Sequence, residues 1–431
     1  MTKKNIGIGL LGLGTVGSSV ARVLLDKADI LTEQGGASLV LTKVLECNMN
    51  KWRAIKFDPH TLANHIDEVI SNPEVAIVIE LIGGEHPAVE YIRQAIINGK
   101  HVVTANKEVI AKHGYELLSL AKKHNVGLRY EASVGSGIPL ISSFYQGLAA
   151  NDISAIYAIL NGTTNYILTR MSQEGLDFAS ALKQAQELGY AEANPANDIE
   201  GIDTVYKLAI LSSLAFHTKV DPQDIYRDGI SRLTAQDFRY AKELGYTIKL
   251  LAIAKRSNKA IEVRVHPAFI PDDSQLAKVA GVYNAIQVEG DLAGKLIFYG
   301  QGAGALPASS AIIADVLTIA RNISHRISSI PKMELNQNLP VKPMSTIKTR
   351  YYFRVNVADR PGVLAQISEI LGQNYISISS VIQKESDLTS QTAVLVIMTH
   401  PAEERAVQKA LQEVRRLTVV NEISNFIRVE A

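Results

Sequence analysis

The sequence runs to 431 residues, too long for one ordinary domain, so two or three are expected. It is 47% hydrophobic and 20% charged, with 44 Lys and Arg against 43 Asp and Glu and a net charge of +1. That balance suits a globular chain with sizeable cores and gives no electrostatic reason to expect nucleic acid or a membrane surface as a partner. No uninterrupted apolar stretch is long enough to span a bilayer, and the start, Met1-Thr-Lys-Lys, leads straight into a strand-like run, so a cytoplasmic location is expected. The single cysteine, Cys47, excludes an intrachain disulfide and argues against a cysteine-based zinc site.

From residue 5 to about 130, short apolar runs alternate with amphipathic helical stretches. The runs fall at 6–11, 39–45, 75–81, 101–104 and 127–130, and Asn98-Gly99 stops one of the intervening helices. This rhythm predicts a parallel, doubly wound α/β sheet. After Ser133 strict alternation ends. Strands are expected at 153–160, 248–254 and 261–266, with helices at 178–188 and 202–216, which reads as a separate α+β domain. Gly300-Gln-Gly-Ala-Gly304 and an apolar helix at 306–320 suggest a return to the first domain. The stretch 322–347, with Pro331, Pro340 and Pro343, reads as a linker. From Arg350 the order is strand 351–357, helix 363–371, strands 376–383 and 392–399, helix 403–414 and a strand near 426–429. That βαββαβ order predicts a small ferredoxin-like module. The expected division is therefore 1–132 with 303–322, then 133–302, a linker 323–348, and 349–431.

The first strand runs into Gly12-Leu13-Gly14-Thr15-Val16-Gly17 and then a helix through Val20, Val23 and Leu24. Glycines permit a tight turn and close backbone approach, and a helix start offers free N–H groups to a dinucleotide pyrophosphate. Whether the cofactor is NAD or NADP stays open. Glu46, ending the second strand, could hold a ribose, whereas Lys51 and Arg53 could hold a 2′-phosphate.

Two further groups carry chemistry. Thr104-Ala-Asn-Lys107 follows a short strand at the sheet end where ligands sit; Lys107 there could serve the site or simply be solvated at a helix start. Between 189 and 207 lie Glu192, Asp198, Asp203 and Lys207. Asp203 and Lys207 are four apart and share a helical face, and a lysine within so apolar a run needs a partner. A surface ion pair is the plainer reading; the added carboxylates Glu192 and Asp198 favour a site.

These segments, together with Asn161-Gly-Thr-Thr-Asn-Tyr166 and Gly302-Ala-Gly-Ala-Leu-Pro307, resemble the homoserine dehydrogenase family over nearly the whole chain. The resemblance implies NAD(P)H-dependent reduction of L-aspartate 4-semialdehyde to L-homoserine, on the route to threonine and methionine. It implies cofactor contacts from Gly12, Gly14, Thr15, Val16, Gly17, Gly83, Thr104, Lys107 and Gly302, with NADP(H) slightly ahead of NAD(H). Substrate contacts are implied for Glu192, Asp198, Asp203, Gly162 and Thr163. Lys207 is the expected proton donor to the alkoxide left by hydride delivery, with Asp203 orienting it and Lys107 in support. A structural Na⁺ or K⁺ is implied at oxygens of Glu131, Val134, Ser136 and Ile138. Asn194, Asn197 and Tyr206 depart from the family pattern near the substrate loop, as do Cys47 and Asn48 after the second strand.

The last module resembles an ACT domain. Asp359, Arg360 and Gly362, in Asp359-Arg-Pro-Gly362 before a helix, form its expected regulatory ligand turn, with L-threonine the implied effector and purely oligomeric use the alternative. A homodimer or homotetramer is expected. Two competing readings fare worse. Aldehyde oxidation to an acyl phosphate needs a cysteine nucleophile in the catalytic domain, where none occurs. An amino-acid-responsive nucleotide sensor would lack a DNA-binding element and leave Lys107 and Lys207 without a role.

Overall fold

The computed structural model describes residues 5–48, 55, 57–257, 259–329, 335, 338–387 and 391–430. It divides into two compact units: residues 1–153, 206–222 and 289–338, and residues 154–205, 223–288 and 339–431.

The first unit is built on six strands, β1 (Asn5–Leu11), β2 (Ser38–Leu45), β3 (Leu62–Ala63), β4 (Val75–Glu80), β5 (His101–Thr104) and β6 (Leu128–Arg129). They lie in the order β3-β2-β1-β4-β5-β6 and every neighbouring pair is parallel. This is the doubly wound sheet the alternation predicts, and the strand order reverses at β1 and β4, where such sheets bind ligands. The strands are apolar on both faces because helices cover both. Helix Thr15–Asp26 buries Val20, Ala21 and Leu24. Helix Ala305–His325 adds Ile312, Val316 and Ile319 to the same cluster as Ile6, Ile8 and Leu10. That helix is long and apolar enough to cross a membrane by length and composition, contrary to the sequence-based expectation, but half of its most apolar window is buried.

The second unit carries β7 (Ile153–Ile159), β8 (Tyr226–Arg227), β9 (Tyr246–Ser257), β10 (Ala260–Pro271) and β11 (Tyr283–Gly290). After β12 (Gly294–Gln301), which belongs to the first unit, come β13 (Lys348–Ala358), β14 (Ile378–Asp387), β15 (Thr392–Thr399), β16 (Ala402–Glu403) and β17 (Val420–Val429). Helices Val363–Gln373 and Glu404–Val414 complete the expected βαββαβ module. Its sheet is not free-standing. β17 pairs antiparallel with β13 on one side and parallel with β10 on the other, giving the order β11-β7-β9-β10-β17-β13-β15-β14. Buried ion pairs reinforce the seam: Arg264 reaches Glu430 at 2.6 Å, and Arg354 reaches Asp237 at 2.9 Å. Asp237 is fully buried and also accepts hydrogen bonds from Asn425, Tyr352 and its own helix cap at Thr234. Removing one partner from such a pair strands a buried charge, which costs about 3–5 kcal/mol.

The proline-bearing stretch before the module is held at its end, where Val341 bridges to Ile261 in a parallel step; Pro331 lies outside the described residues. Helices Gly162–Glu174 and Ala235–Glu243 and the strands β11 and β12 are elements that periodicity alone does not reveal.

Candidate active site

The glycine turn sits where β1 leaves the sheet. Gly12 has φ +94°, and a Cβ on Gly17 would stand 2.0 Å from the Gly12 carbonyl oxygen, so both are required by the protein's own packing. Gly14 differs: a Cβ there would meet nothing within 4 Å. Its bareness leaves room for something outside the chain. Gly14 is the N-cap of helix Thr15–Asp26 and no side chain caps that helix, so the N–H groups of its first turn lack a side-chain acceptor. Thr15 and Val16 open that first turn.

Glu46 is committed to this turn. Its carboxylate accepts from the N–H of Leu13 at 2.8 Å and from the N–H of Asn48 at 2.8 Å. Lys51 and Arg53, the alternative 2′-phosphate ligands, lie outside the described residues. Cys47 is an exposed free thiol.

At the neighbouring strand ends the structure adds a residue that the sequence reading passed over. Glu80, the last residue of β4, is fully buried, and the Thr104 hydroxyl donates to it at 2.6 Å. Its other oxygen accepts from the N–H of Ile82 at 2.8 Å, and burial raises its pKa. Glu80 therefore ties Thr104 to the loop bearing Gly83, which has φ +84°. A carboxylate closing an all-apolar strand was the signal available. Asn106 caps helix Lys107–Lys123 through Val109 and donates to the Gly84 carbonyl at 2.7 Å, which sets Lys107 at the start of the helix. On the next turn Lys112 bridges Glu85 and Glu108, and with His113 it holds the Glu85 carboxyl down to about 2.

Lys207 lies on helix Ile202–Phe216, in the part belonging to the first unit. Tyr206 there hydrogen-bonds Glu108 at 3.4 Å, and the Lys112 ammonium stands 5.6 Å from its ring centroid. Glu108 and Tyr206, which adjoin Lys107 and Lys207 in sequence, thus meet each other. Lys207 is only 8% exposed and Asp203, one turn earlier, only 5%. The plain surface ion pair is thereby excluded.

In the second unit one amide gathers the carboxylates. Asn161 Nδ2 donates to Asp198 Oδ1 at 2.6 Å and to Asp203 Oδ2 at 3.0 Å, while its Oδ1 caps helix Gly162–Glu174 at Thr164 N, 2.8 Å away. Gly162 must be bare, because a Cβ would stand 2.8 Å from the Val282 carbonyl oxygen. Thr163 donates to the Tyr190 carbonyl at 2.6 Å, fixing the chain just ahead of Glu192. Glu192 itself is exposed, and its carbonyl accepts from Gln186 Nε2 at 3.1 Å. Behind the helix start, Asn165 donates to the Gly281 carbonyl at 2.9 Å and accepts from Lys249 at 3.1 Å. Lys249 also donates to the Val279 carbonyl, and burial pushes its pKa down to about 8. The contacts of Asn161 and Lys249 join positions far apart in sequence, and sequence reading singled out neither residue.

The loop after β6 is also accounted for. The Glu131 carboxylate accepts from the N–H groups of Ile141 at 2.8 Å and Ser142 at 2.7 Å, and the Glu131 N–H donates to buried Asp315 at 2.8 Å. Val134 and Ile138 are buried, and Ser136 takes φ +42°. Among the described residues no three His, Cys, Asp or Glu side chains cluster as metal ligands.

Residues 12–131 match the family model "Homoserine dehydrogenase, NAD binding domain", residues 139–317 the model "Homoserine dehydrogenase", and residues 351–418 the model "ACT domain". A homoserine dehydrogenase of Neisseria gonorrhoeae is 42% identical over 434 residues, 99% of each chain. One of Bacillus subtilis is 37% identical over 431 residues, again 99% of each.

The chain belongs to the homoserine dehydrogenase family.

Its fold matches the crystal structure of a homoserine dehydrogenase from Thiobacillus denitrificans with a TM-score of 0.93 and 42% identity, covering 100% of this chain and 99% of that one. A hyperthermophilic archaeal homoserine dehydrogenase solved with NADPH aligns at a TM-score of 0.64 and 26% identity, covering 76% of this chain and 99% of that one. As a member of this family the chain is an oxidoreductase with an NAD(P)-binding domain. The ACT turn at 359–362 has Gly362 at φ +90°, directly before helix Val363–Gln373, which no side chain caps.

Proposed function

We propose that the chain catalyses reduction of L-aspartate 4-semialdehyde to L-homoserine by NAD(P)H, and the reverse oxidation, on the route to threonine and methionine. The observation that carries this reading is the buried Asp203 and Lys207 on one helix, with Asp198 drawn to Asp203 through Asn161.

The nicotinamide cofactor, NADP(H) slightly ahead of NAD(H), supplies a hydride to the aldehyde carbon. The uncapped N–H groups after Gly14 receive its pyrophosphate, with Gly12, Thr15, Val16, Gly17, Gly83, Thr104 and Gly302 around it. Hydride addition turns the carbonyl oxygen into an alkoxide. Lys207 delivers a proton from its ammonium to that oxygen, so one hydride and one proton complete the alcohol. A buried ammonium is effective here because low local dielectric strengthens its hold on the developing charge. Asp203 orients Lys207, and Lys107 supports the nicotinamide end. Glu192, Asp198, Gly162 and Thr163 hold the amino-acid end of the substrate. The loop oxygens of Glu131, Val134, Ser136 and Ile138 suit a structural Na⁺ or K⁺.

The working division is 1–132 with 303–322 for the cofactor, 133–302 for substrate and dimerisation, a linker 323–348, and 349–431 for regulation. L-threonine at Asp359, Arg360 and Gly362 provides feedback, in a cytoplasmic homodimer or homotetramer.

The test is oxidation of L-homoserine with NAD⁺ or NADP⁺, followed as reduced cofactor. Turnover is expected with at least one, and Lys207→Ala should lower kcat by about two to four decades. Absence of turnover with both cofactors refutes the reading, and near-normal kcat in Lys207→Ala refutes the donor.

A further inference from the structure

A cavity of ≈ 360 Å³ lies within the second unit, between the chain leaving β8 and the far side of the C-terminal module. Its size falls at the lower end of the roughly 300–1,000 Å³ range of small-molecule sites. Asp228, Gly229 and Arg232 form one wall, and Gln408, Leu411 and Arg415 the other. Arg428, 2% exposed, lines it from β17. Its charge is already met, because both Glu404 oxygens accept from it, at 2.6 and 2.9 Å.

The charges that remain are Arg232, Arg415 and Asp228, none of which is in an ion pair among the described residues. Arg232 and Arg415, both exposed, line the cavity, and two such side chains suit a carboxylate, since the guanidinium fork pairs with both of its oxygens. A single carboxylate in the same cavity suits an ammonium. Leu233, Leu411 and Ile423 leave room beside them for an uncharged side chain. A carboxylate, an ammonium and a small apolar surface together describe an α-amino acid zwitterion.

The wall bearing Asp228 is bonded to the acidic substrate segment. Ile230 N donates to the Ile199 carbonyl at 3.0 Å, and the Arg227 guanidinium donates to the Glu200 carbonyl at 3.0 Å. Gly229 packs so closely that a Cβ would stand 2.7 Å from the Ile199 oxygen. Ile199 and Glu200 lie between Asp198 and Asp203. Backbone packed on backbone has little slack, so a shift of this wall reaches both carboxylates.

We propose that this cavity is an effector site for a small α-amino acid, separate from the turn at 359–362, whose occupancy moves the segment carrying Asp198 and Asp203. The proposal goes beyond the catalytic reading, and direct binding tests it without turnover.

The full chain is titrated calorimetrically with L-alanine, L-threonine and L-methionine, and with succinate and inorganic phosphate as anions lacking the ammonium. The same titrations are run on Arg232→Met/Arg415→Met, on Asp228→Asn and on Asp359→Ala, after thermal melts show each variant folded. The expected result is saturable binding of at least one amino acid, weakened about tenfold or more by both cavity variants and unchanged by Asp359→Ala. The bound amino acid should also shift KM for homoserine in the wild type. No saturable binding of any amino acid in the millimolar range overturns the proposal. Binding unaltered in the cavity variants, or succinate or phosphate binding as tightly as the amino acids, overturns it equally.

Discussion

Asn161→Ala is the sharpest perturbation of the proposed substrate site. The side chain bonds to Asp198 at 2.6 Å, to Asp203 at 3.0 Å, and to the N–H and the hydroxyl of Thr164 at 2.8 and 3.1 Å. Losing the cap alone costs about 1 kcal/mol of stability. The two bonds to carboxylates are charge-assisted, worth about 1.5 kcal/mol each at the low end of their range. If they hold the pair in the arrangement used at the transition state, about 3 kcal/mol disappears there, or about a hundredfold in kcat/KM. Asn161→Asp keeps an oxygen for the cap but turns the donating amide into a third, buried carboxylate beside two others. That repulsion should cost more stability than the lost cap of Asn161→Ala, and kcat/KM should fall at least as far. Steady-state homoserine oxidation and urea melts of the three proteins give both numbers. If Asn161→Ala lost its cap energy in the melt yet kept kcat/KM within about twofold, the bridging amide would have no part in catalysis and the reasoning fails.

Two further perturbations test the cofactor turn and the core beneath it. Gly14→Ala adds a methyl into open space, so it should cost at most about 1 kcal/mol of stability while raising the cofactor KM. Gly17→Ala, whose Cβ would stand 2.0 Å from the Gly12 oxygen, should instead lose folded yield, and equal stability of the two variants would contradict this. Asp315→Asn tests the buried carboxyl, which burial raises from 3.8 to about 7. A folded-state pKa above the unfolded one gives stability that is full below about pH 4 and is lost as pH rises through about 7, up to about 4 kcal/mol in all. Urea melts at several pH values should show Asp315→Asn gaining on the wild type as pH rises across that window. Parallel profiles would refute the assignment.

Local features made much of this protein legible in its sequence. The strand-glycine-helix turn, the parallel strands from 6 to 130, the helix Ile202–Phe216 and the βαββαβ order of the last module all follow from periodicity and turn residues, which act within a few positions. The buried setting of Lys207 followed from an apolar run, because a helix surrounded by hydrophobic residues carries its lysine inward with it. Tertiary structure alone decided the features that join distant positions. Pairing of 268–269 with 428–429 makes one sheet of two sequence regions, and no local pattern encodes a partner 160 residues away. Asn161 meets Asp198 and Asp203, 37 and 42 residues further along the chain, a separation no local pattern spans. Glu80 ended an apolar strand without evident purpose until Thr104 came alongside. The glycine turn shows the same limit in miniature: sequence predicts nucleotide binding there, but only the folded surroundings separate Gly12 and Gly17, held by the protein's own packing, from Gly14, which is bare toward open space.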